Sequence, residues 1–555
     1  MYTTSSPVSV GALDPTSMLR LLPIAVCVLG LLMVFREVLF LGGAVQLNDA
    51  ADPRFNEFLL EHSWRWLQGF EAGGVFELSV GYPSTNTLGY SEPMISFGPL
   101  YWPFRALGLS TATSYSYWLV ATAVVNFFCF YFFTRKSLGL GIVAACVSAF
   151  LFAFGLPRVA QIGHSQLWPQ FYVVLVLWGM YVLFLGAATE RTQRIGAVAV
   201  IGGLVLQAWG CLYNAIFVGY VCLVTVTFAL LHPAWRANAL RTLRVVTPVA
   251  LCCLVAAMVF VWPLIRVYLA VGASTPDWDL QQLQALQPRP SSLLYVWNSS
   301  WFYPWMTTAT SLGSLPARHE QALGMGLLTT AIVLYTLVRN WRKPVVQLLF
   351  VAVLFLLLPT LMWPEDRSLW VDLREWIPGL SALRAISRIG LLLLIPASIA
   401  LGVFVERRSE FHWPRACLAV AILCLVEQGT EIHRFSRAPY ERVVASIAEG
   451  VDPNAEAFYY VGAGLVPFWY GQIDAMLAAQ RAGVPTVNMF SGRYPAGYSV
   501  LHRNVAVDTL TQRQVEQTVN EWLEQNHIDP DRVQLIFQAE NLRTSSAEPT
   551  GRSPF

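Results

Sequence analysis

The sequence is poor in charged residues. Only 13% of its 555 residues are charged, whereas 55% are apolar, and the mean hydropathy is +0.50. A chain of this composition is too apolar to be solvated as an ordinary globular domain, so the lipid bilayer is its expected solvent. The 36 basic and 34 acidic residues leave a formal net charge of +2. This balance indicates no polyanion-binding surface, and nucleic acid is not an expected partner.

Four other features are missing from the sequence: cysteines in polar loops, a glycine-rich phosphate loop, an ionisable side chain at the centre of an apolar run, and repeated halves. All 9 cysteines lie within apolar stretches, which is typical of small core residues rather than disulfide partners. No glycine-rich phosphate loop lies next to a predicted strand, so a nucleotide-sugar site is not expected. No ionisable side chain lies at the centre of a long apolar run, and the two halves of the chain do not resemble each other. Both absences argue against a transporter or flippase of lipid-linked sugars.

Long hydrophobic runs, in contrast, are abundant. A membrane-spanning helix needs roughly 20 apolar residues, and the sequence predicts about eleven such helices. The first run contains Arg20 and is followed by no small-residue cleavage site, which indicates a span rather than a cleaved signal. The predicted spans are residues 18–40, 112–134, 138–156, 167–188, 195–212, 214–232, 243–271, 323–337, 345–362, 387–405 and 414–427.

Lysine and arginine mark every second short loop, beginning with Arg135 and Lys136. Assigning the basic loops to the cytoplasm places the N-terminus inside and the C-terminus outside. Four longer segments then lie outside: residues 37–111, 272–322, 363–386 and the tail from about residue 428. The predicted fold class is therefore a polytopic α-helical membrane protein with a large first outer loop, residues 37–111, called loop 1.

Loop 1 and the tail both carry secondary-structure signals. In loop 1, Asp52 and Pro53 predict the N-cap and first position of an amphipathic helix on the membrane surface, and residues 94–107 predict a second interfacial helix. In the tail, the strand-like runs AFYYVG, PTVNMF and RVQLIF alternate with helical runs, which is typical of a small α/β domain. The predicted divisions are 1–430 for the transmembrane domain, 431–540 for the extracytoplasmic α/β domain and 541–555 for a disordered end.

Four short motifs follow one another along the outer segments. They are QLNDAADPRFN and YPSTNTLGYSEP in loop 1, PRVAQIGHSQL after the third span, and LRAISRIG entering the tenth. Their order resembles the GT-C superfamily of multi-spanning glycosyltransferases, and a bacterial GT-C-like group has a tail segment similar to DAMLAAQRAGVPTVNMFSG. The resemblance implies a polyprenyl-phosphate sugar donor and a hydroxyl acceptor on an envelope glycan, lipid or exported protein such as a pilin. It also implies a bacterial inner membrane location with the active site facing outward.

The resemblance places the catalytic acid in loop 1, where Asp49, Asp52 and Glu92 are the candidates. A carboxylate near the acceptor hydroxyl acts as a general base. Asp52 has a structural explanation as a helix cap, whereas Asp49 has none, so Asp49 is the favoured base. All three acids could instead be solvated loop residues, or two could hold a Mg or Mn ion if they lie close together. No other cofactor is predicted.

The lipid-phosphate leaving group requires cations on the outer face. Arg384 and Arg388 are four residues apart, which predicts one helix face at the start of the tenth span, suited to gripping phosphate. Arg158 and His164 lie in the outer loop after the third span and are further candidates for the donor phosphate. The alternatives are arginines that bind ordinary lipid head groups and a histidine with a structural role.

Glu320, just before the eighth span, is a candidate acceptor contact or a salt-bridge partner of Arg318. Two other function classes also remain open from the sequence. A polymerase or ligase with a diphosphate-linked donor would also need outer arginines and a large outer loop. A non-enzymatic assembly factor would need neither an acid nor an arginine pair, although their presence does not prove catalysis.

Overall fold

The fold was analysed in a computed structural model. The structure describes residues 15–537 except residues 72, 187, 365–366, 378–379, 411–412, 463–466 and 502–511. The predicted disordered end, residues 541–555, lies outside the described residues.

Each predicted span coincides with a helix. These helices are α1 (Pro15–Leu41), α4 (Thr111–Phe132), α5 (Ile142–Phe154), α7 (Phe171–Phe184), α8 (Glu190–Ala208), α9 (Leu212–Leu231), α10 (Pro233–Ser274), α13 (Leu327–Arg339), α14 (Pro344–Thr360), α16 (Gly390–Glu406) and α17 (Pro414–Val426). Among the described residues, 7 helical segments are long and apolar enough to cross a membrane, and α13, α14 and α17 are shorter apolar helices. The chain is thus a helical membrane protein, and the number of spans stays a prediction.

The remaining helices belong to the loops and the tail. They are α2 (Asp52–Leu67), α3 (Gly98–Ala106), α6 (Leu156–Ala160), α11 (Leu280–Ala285), α12 (Thr310–Gly313), α15 (Leu369–Trp376), α18 (Ala438–Gly450), α19 (Phe468–Ala482) and α20 (Gln512–Gln525). Helix α3 has 9 residues, too few to span a bilayer, as expected for its two prolines. The described residues form four short strands, β1 (Val45–Leu47), β2 (Arg434–Ser436), β3 (Ala457–Val461) and β4 (Val533–Phe537).

Helix α2 is buried by protein over most of its length, so the prediction of an amphipathic helix lying on the membrane surface is wrong. Its polar residues are buried against the tail rather than turned to solvent. The Arg54 guanidinium is only 2% exposed and lies 2.5 Å from the Asp474 carboxylate of α19. Glu57 forms a second buried ion pair with Arg437. Buried charges require partners, and the partners of these two charges belong to the tail. The charged residues that indicated a surface helix therefore attach the tail to loop 1.

Strand pairing joins the same two regions. Strand β1, which follows α1, pairs antiparallel with β2, which follows α17. Loop 1 and the start of the tail therefore lie at the same end of the helical bundle. In the rest of the tail, β3 pairs parallel with β4. The predicted PTVNMF strand is wrong, because Thr486 makes only isolated bridges, to Phe458 and to Val80 of loop 1.

Candidate functional site

Four segments distant in sequence meet at this end of the bundle and form a polar cluster. Loop 1 contributes Asp49 and Asp52, and the turn after α6 contributes His164. Glu320 comes from the segment before α13, and Arg388 from the 3₁₀ turn that leads into α16. The cluster unites five of the eight residues that the sequence predicted for the site.

Within the cluster, the charged side chains alternate in sign. His164 contacts Asp52 through Nδ1, at 3.0 Å from Oδ2, and contacts Glu320 through Nε2, at 3.1 Å from Oε1. Arg388 contacts the same oxygen of Glu320, with its Nη2 2.8 Å from Oε1. Glu320 and Arg388 are buried, whereas the Asp52 side chain keeps 33% of its surface exposed. Asp52 is therefore the member of this row of charged side chains that is accessible to solutes.

The electrostatics of the cluster favour its ionised form. Burial and the Arg388 charge would lower the pKa of His164, but the Asp52 and Glu320 carboxylates outweigh them and raise it to about 9. Burial would raise the pKa of Glu320, yet Arg388 and His164 hold it well below its ordinary value. The pKa of Asp52 is lowered because His164, Arg388 and Arg384 outweigh its burial. At neutral pH, His164 is thus an imidazolium that donates to two carboxylates.

Asp49 differs from Asp52 in both its contacts and its acidity. Its Oδ1 accepts hydrogen bonds from the backbone N–H groups of Ala51 (2.8 Å) and Asp52 (3.1 Å), and its Oδ2 accepts one from Asn48 Nδ2 (2.6 Å). The sequence-based assignment of the helix cap to Asp52 is wrong, because Asp49 provides these hydrogen bonds and Asp52 is the first helical residue. Burial and the nearby Asp52 charge raise the pKa of Asp49 to about 6. A carboxylate with this pKa is a suitable general base near neutral pH.

The backbone around Asp49 is tightly constrained. Asn48 has a φ of 76°, in the left-handed region that asparagine tolerates. Gly163 packs against it so closely that an added Cβ would lie 2.4 Å from Asn48 Nδ2 and 3.0 Å from Asp49 Oδ2. The tripeptide at residues 163–165 thus provides both His164 and Gly163, whose lack of a side chain leaves room for the Asp49 carboxylate.

Glu92, the third candidate base, has a structural role in α9. Its carboxylate accepts hydrogen bonds from the backbone N–H groups of Leu212 (2.5 Å) and Tyr213 (3.5 Å), at the helix N-terminus. Burial nevertheless raises the pKa of Glu92 to about 7. The Tyr213 hydroxyl in turn accepts hydrogen bonds from the backbone of Arg384 (2.9 Å) and Ala385 (3.0 Å). Glu92 therefore positions the segment that carries Arg384.

The two predicted phosphate-binding arginines do not share a helix face. Arg384 lies in a bend, and Arg388 lies in a 3₁₀ turn, so their spacing of four residues does not align them. Arg388 is engaged by Glu320 and lies over the Tyr213 ring. Arg384 forms no ion pair within the described part of the chain, and its Cζ lies 5.1 Å from the centre of the Trp278 ring. Arg384 is thus the better placed of the two to receive an anion.

Two other predicted contacts are not supported. Arg158 is fully buried and donates to the backbone oxygens of Phe152 and Trp168 and to Gln170 Oε1, so it stabilises the turn after α6 rather than facing a ligand. Glu320 does not pair with Arg318. Its carboxylate is occupied by Arg388, His164 and weaker contacts from Gln161 and Ser387, which leaves it little capacity to hold an acceptor.

Within the part of the chain that the structure describes, one group of side chains could hold a metal ion. Ligand atoms of His164, His319 and Glu320 all lie within 4.8 Å of one another. Two imidazoles and one carboxylate suit Zn²⁺ better than Mg²⁺, which prefers oxygen ligands. This set differs from the predicted pair of loop 1 acids, and His319 was not among the predicted residues. Nothing in the sequence around His319 distinguishes it from a solvated loop histidine.

Comparison with known proteins identifies the architecture. The structure is similar to the arabinofuranosyltransferase AftD from Mycobacteria, with a TM-score of 0.50, 14% identity and coverage of 87% of this chain and 32% of AftD. It is also similar to the apo oligosaccharyltransferase of Archaeoglobus fulgidus, with a TM-score of 0.53, 12% identity and coverage of 93% and 69%. The chain has a GT-C fold.

The GT-C likeness extends to a second structure of the archaeal oligosaccharyltransferase, in complex with Zn and sulfate. That match has a TM-score of 0.50 and 12% identity, and it covers 85% of this chain and 62% of the other. The chain thus spans about a third of AftD and somewhat under two thirds of this oligosaccharyltransferase. No protein-family model matches the sequence, and no curated protein matches it. These GT-C similarities establish the fold.

Proposed function

We propose that this protein is an inverting glycosyltransferase that moves a sugar from a polyprenyl-phosphate donor to an acceptor hydroxyl. The acceptor belongs to an envelope glycan, lipid or exported protein such as a pilin, and the site faces outward from a bacterial inner membrane. The observation that carries the proposal is the meeting of Asp49 and Asp52 with the His164, Glu320 and Arg388 cluster at the loop end of a GT-C fold, where burial raises the pKa of Asp49. Asp49 lies beside an arginine-containing cluster whose charges act on the neighbouring Asp52.

The chemistry follows from these groups. The acceptor oxygen attacks the anomeric carbon of the donor while Asp49 accepts its proton. The bond between the anomeric carbon and the phosphate oxygen breaks, and polyprenyl phosphate leaves with the electron pair. Arg384 stabilises the charge that develops on this phosphate. Attack opposite the leaving group inverts the anomeric configuration.

His164, Glu320 and Arg388 support the reaction without taking a proton from the acceptor. The His164 imidazolium fixes Asp52 beside Asp49, and the Asp52 charge is one cause of the raised pKa of Asp49. If a divalent cation is required, His164, His319 and Glu320 would hold it, after His164 had lost the Nε2 proton that it donates to Glu320. A bound cation would supply Lewis acidity near the leaving group.

A panel of donors tests the proposed function. The purified protein is given the same sugar on polyprenyl phosphate, on polyprenyl diphosphate and on a nucleotide diphosphate, with envelope extract as the acceptor source. We expect turnover with polyprenyl phosphate alone, and a product of inverted configuration by NMR. Turnover only with the diphosphate would replace this function by that of a polymerase or ligase. No turnover with any donor would favour a non-enzymatic role.

The rate of transfer is expected to depend on pH through Asp49 and His164. Asp49 must be ionised to act as the base, so kcat/KM should rise as the pH increases through about 6. His164 loses its proton above about 9, which breaks the cluster, so kcat/KM should fall there. Because these groups interact, each limb of the pH profile reports the ionisation of the coupled cluster rather than of one isolated side chain. A flat profile from pH 5 to 10 would contradict this assignment.

Gly163→Ala should reduce transfer without unfolding the protein. The added Cβ would collide with Asn48 and crowd the Asp49 carboxylate, and a misplacement of about 1 Å costs about 10²-fold in rate. Gly202→Ala in α8 is the matched control, because a Cβ there meets nothing within 4 Å. The comparison is made by steady-state kinetics with thermal unfolding in parallel. Equal rates for the two variants would show that Asp49 placement is not critical.

A further inference from the structure

The tail reaches the functional site through the segment that follows Thr486. Ser491 Oγ donates a hydrogen bond to the Tyr90 backbone oxygen of loop 1 at 2.6 Å. Phe490 packs edge-on against Phe55 of α2, with ring centres 5.6 Å apart. Charges on Arg384 and Asp52 both act on the Tyr494 hydroxyl. The segment between Phe490 and Tyr494 is therefore part of the wall around the cluster.

Arg493, in the middle of this segment, shares an aromatic partner with Arg384. Its Cζ lies 4.5 Å from the centre of the Trp278 ring, and that of Arg384 lies 5.1 Å from the same ring. Arg493 also donates to Thr275 Oγ1 at 3.1 Å and to the Ser381 backbone oxygen at 3.4 Å. Three separate segments of the chain thus hold two guanidinium groups around one indole.

The charges around this indole are unbalanced. Arg374 adds a third positive charge that acts on Arg493, and its Nε is buried without a hydrogen-bond partner among the described residues. Asp277 acts on Arg493 and Asp52 acts on Arg384, but within the described residues neither acid forms an ion pair with any of these three arginines. Burial and the positive neighbours lower the pKa of Arg493. An anion bound between the arginines would offset this repulsion, and guanidinium groups match phosphate through paired hydrogen bonds.

We infer that Arg493 of the tail and Arg384 together form the phosphate-binding site for the lipid donor, an inference that rests on the proposed function. The ligand is a phosphate group attached to a long polyprenyl chain. Arg493 is then a binding residue rather than a general base, and the tail is an integral part of the donor site. The affinity for the lipid donor should consequently depend on Arg493, which lies in the tail and not in a transmembrane helix.

Direct binding to the full-length protein separates this inference from catalysis. Polyprenyl phosphate is titrated into wild type, Arg493→Gln and Arg493→Lys, and occupancy is measured by native mass spectrometry. Uncharged polyprenol of equal length and phosphatidylglycerol serve as comparison lipids. Arg442→Gln is the matched control, because Arg442 is an exposed tail arginine. We expect Arg493→Gln to weaken polyprenyl phosphate binding by about 10- to 100-fold, the effect of losing a charge-assisted hydrogen bond.

We expect the lysine variant to bind with intermediate affinity and Arg442→Gln to bind as wild type does. Binding of polyprenol should be unchanged throughout. Equal affinity of Arg493→Gln and wild type for polyprenyl phosphate would overturn the inference and leave the proposed function intact. An equal loss of phosphatidylglycerol binding would also overturn it, in favour of a general head-group site. Failure of wild type to bind polyprenyl phosphate would instead refute the proposed donor itself.

A second measurement avoids any dependence on the folding of the variants. Phenylglyoxal modifies accessible guanidinium groups, and the modified residues of wild type are identified by peptide mass spectrometry. Saturating polyprenyl phosphate is expected to protect Arg384 and Arg493 at least several-fold, and to leave Arg442 unprotected. Equal modification of Arg493 with and without the lipid would contradict the inference.

Discussion

Asp49→Asn is expected to slow sugar transfer by about 10²- to 10⁴-fold, the usual contribution of a general base. The asparagine Oδ1 can still accept the hydrogen bonds from the backbone N–H groups of Ala51 and Asp52, so the start of α2 should remain intact. What is lost is a group able to take a proton from the acceptor, together with the hydrogen bond that Asp49 Oδ2 accepts from Asn48 Nδ2. The loss should therefore appear in kcat, with donor affinity close to that of wild type.

Asp52→Asn is the comparison variant. It keeps Asp49 but weakens the ion pair with His164, so it should remove one cause of the raised pKa of Asp49 and shift the acid limb of the pH profile downward. Asp49→Asn should remove that limb altogether. If Asp52→Asn instead abolished transfer while Asp49→Asn retained it, the base would be Asp52, and the assignment of the general base to Asp49 would be wrong.

Glu320→Ala is expected to destabilise the protein by about 3–5 kcal/mol, the cost of leaving buried charges without their partner. The variant removes the carboxylate that His164 and Arg388 share, and it leaves both of these cations without that partner. Adding Arg388→Met to Glu320→Ala should recover part of the loss, because one of the stranded charges is then removed. The measurement is chemical unfolding in detergent, compared through a double-mutant cycle.

Glu431→Ala is the control for this cycle. Its side chain is 75% exposed and makes only a surface ion pair with Arg36, so its effect should stay within about 0.5 kcal/mol. A Glu320→Ala variant as stable as Glu431→Ala would mean that the cluster does not form as described. A double variant less stable than Glu320→Ala would contradict the pairing of Glu320 with Arg388.

The transmembrane helices could be predicted from the sequence because their signal is local. A run of apolar residues is sufficient, and each predicted run coincides with a helix. The environment of α2 could not be predicted in this way. Arg54 and Glu57 look solvent-exposed in sequence, since their partners Asp474 and Arg437 lie 420 and 380 residues further along the chain. A surface helix and a helix buried by ion pairs have the same local pattern.

The candidate site, likewise, could be predicted from the sequence only in part. The sequence nominated Asp49, Asp52 and His164 with the help of the GT-C resemblance and Glu320 as an outer-face acid, and it favoured Asp49 as the base, but it could not predict the contacts among them. The side chain that accepts the backbone hydrogen bonds at the start of α2 belongs to Asp49, which follows the left-handed residue Asn48, and no residue pattern specified this arrangement. Arg493 was also missed. It directly follows the tail motif that ends in NMFSG, and only the meeting of the tail with Trp278 gives it significance.

Both loop 1 and the tail lie at one end of the helical bundle, so sugar transfer should take place on the membrane face that carries the tail. In sealed vesicles of one orientation, established by protease access to the tail, donor and acceptor are supplied to one face at a time. We predict release of free polyprenyl phosphate only when both substrates are on the tail face, and none with Asp49→Asn. Transfer from the opposite face, or equal release by the variant, would contradict the proposed site.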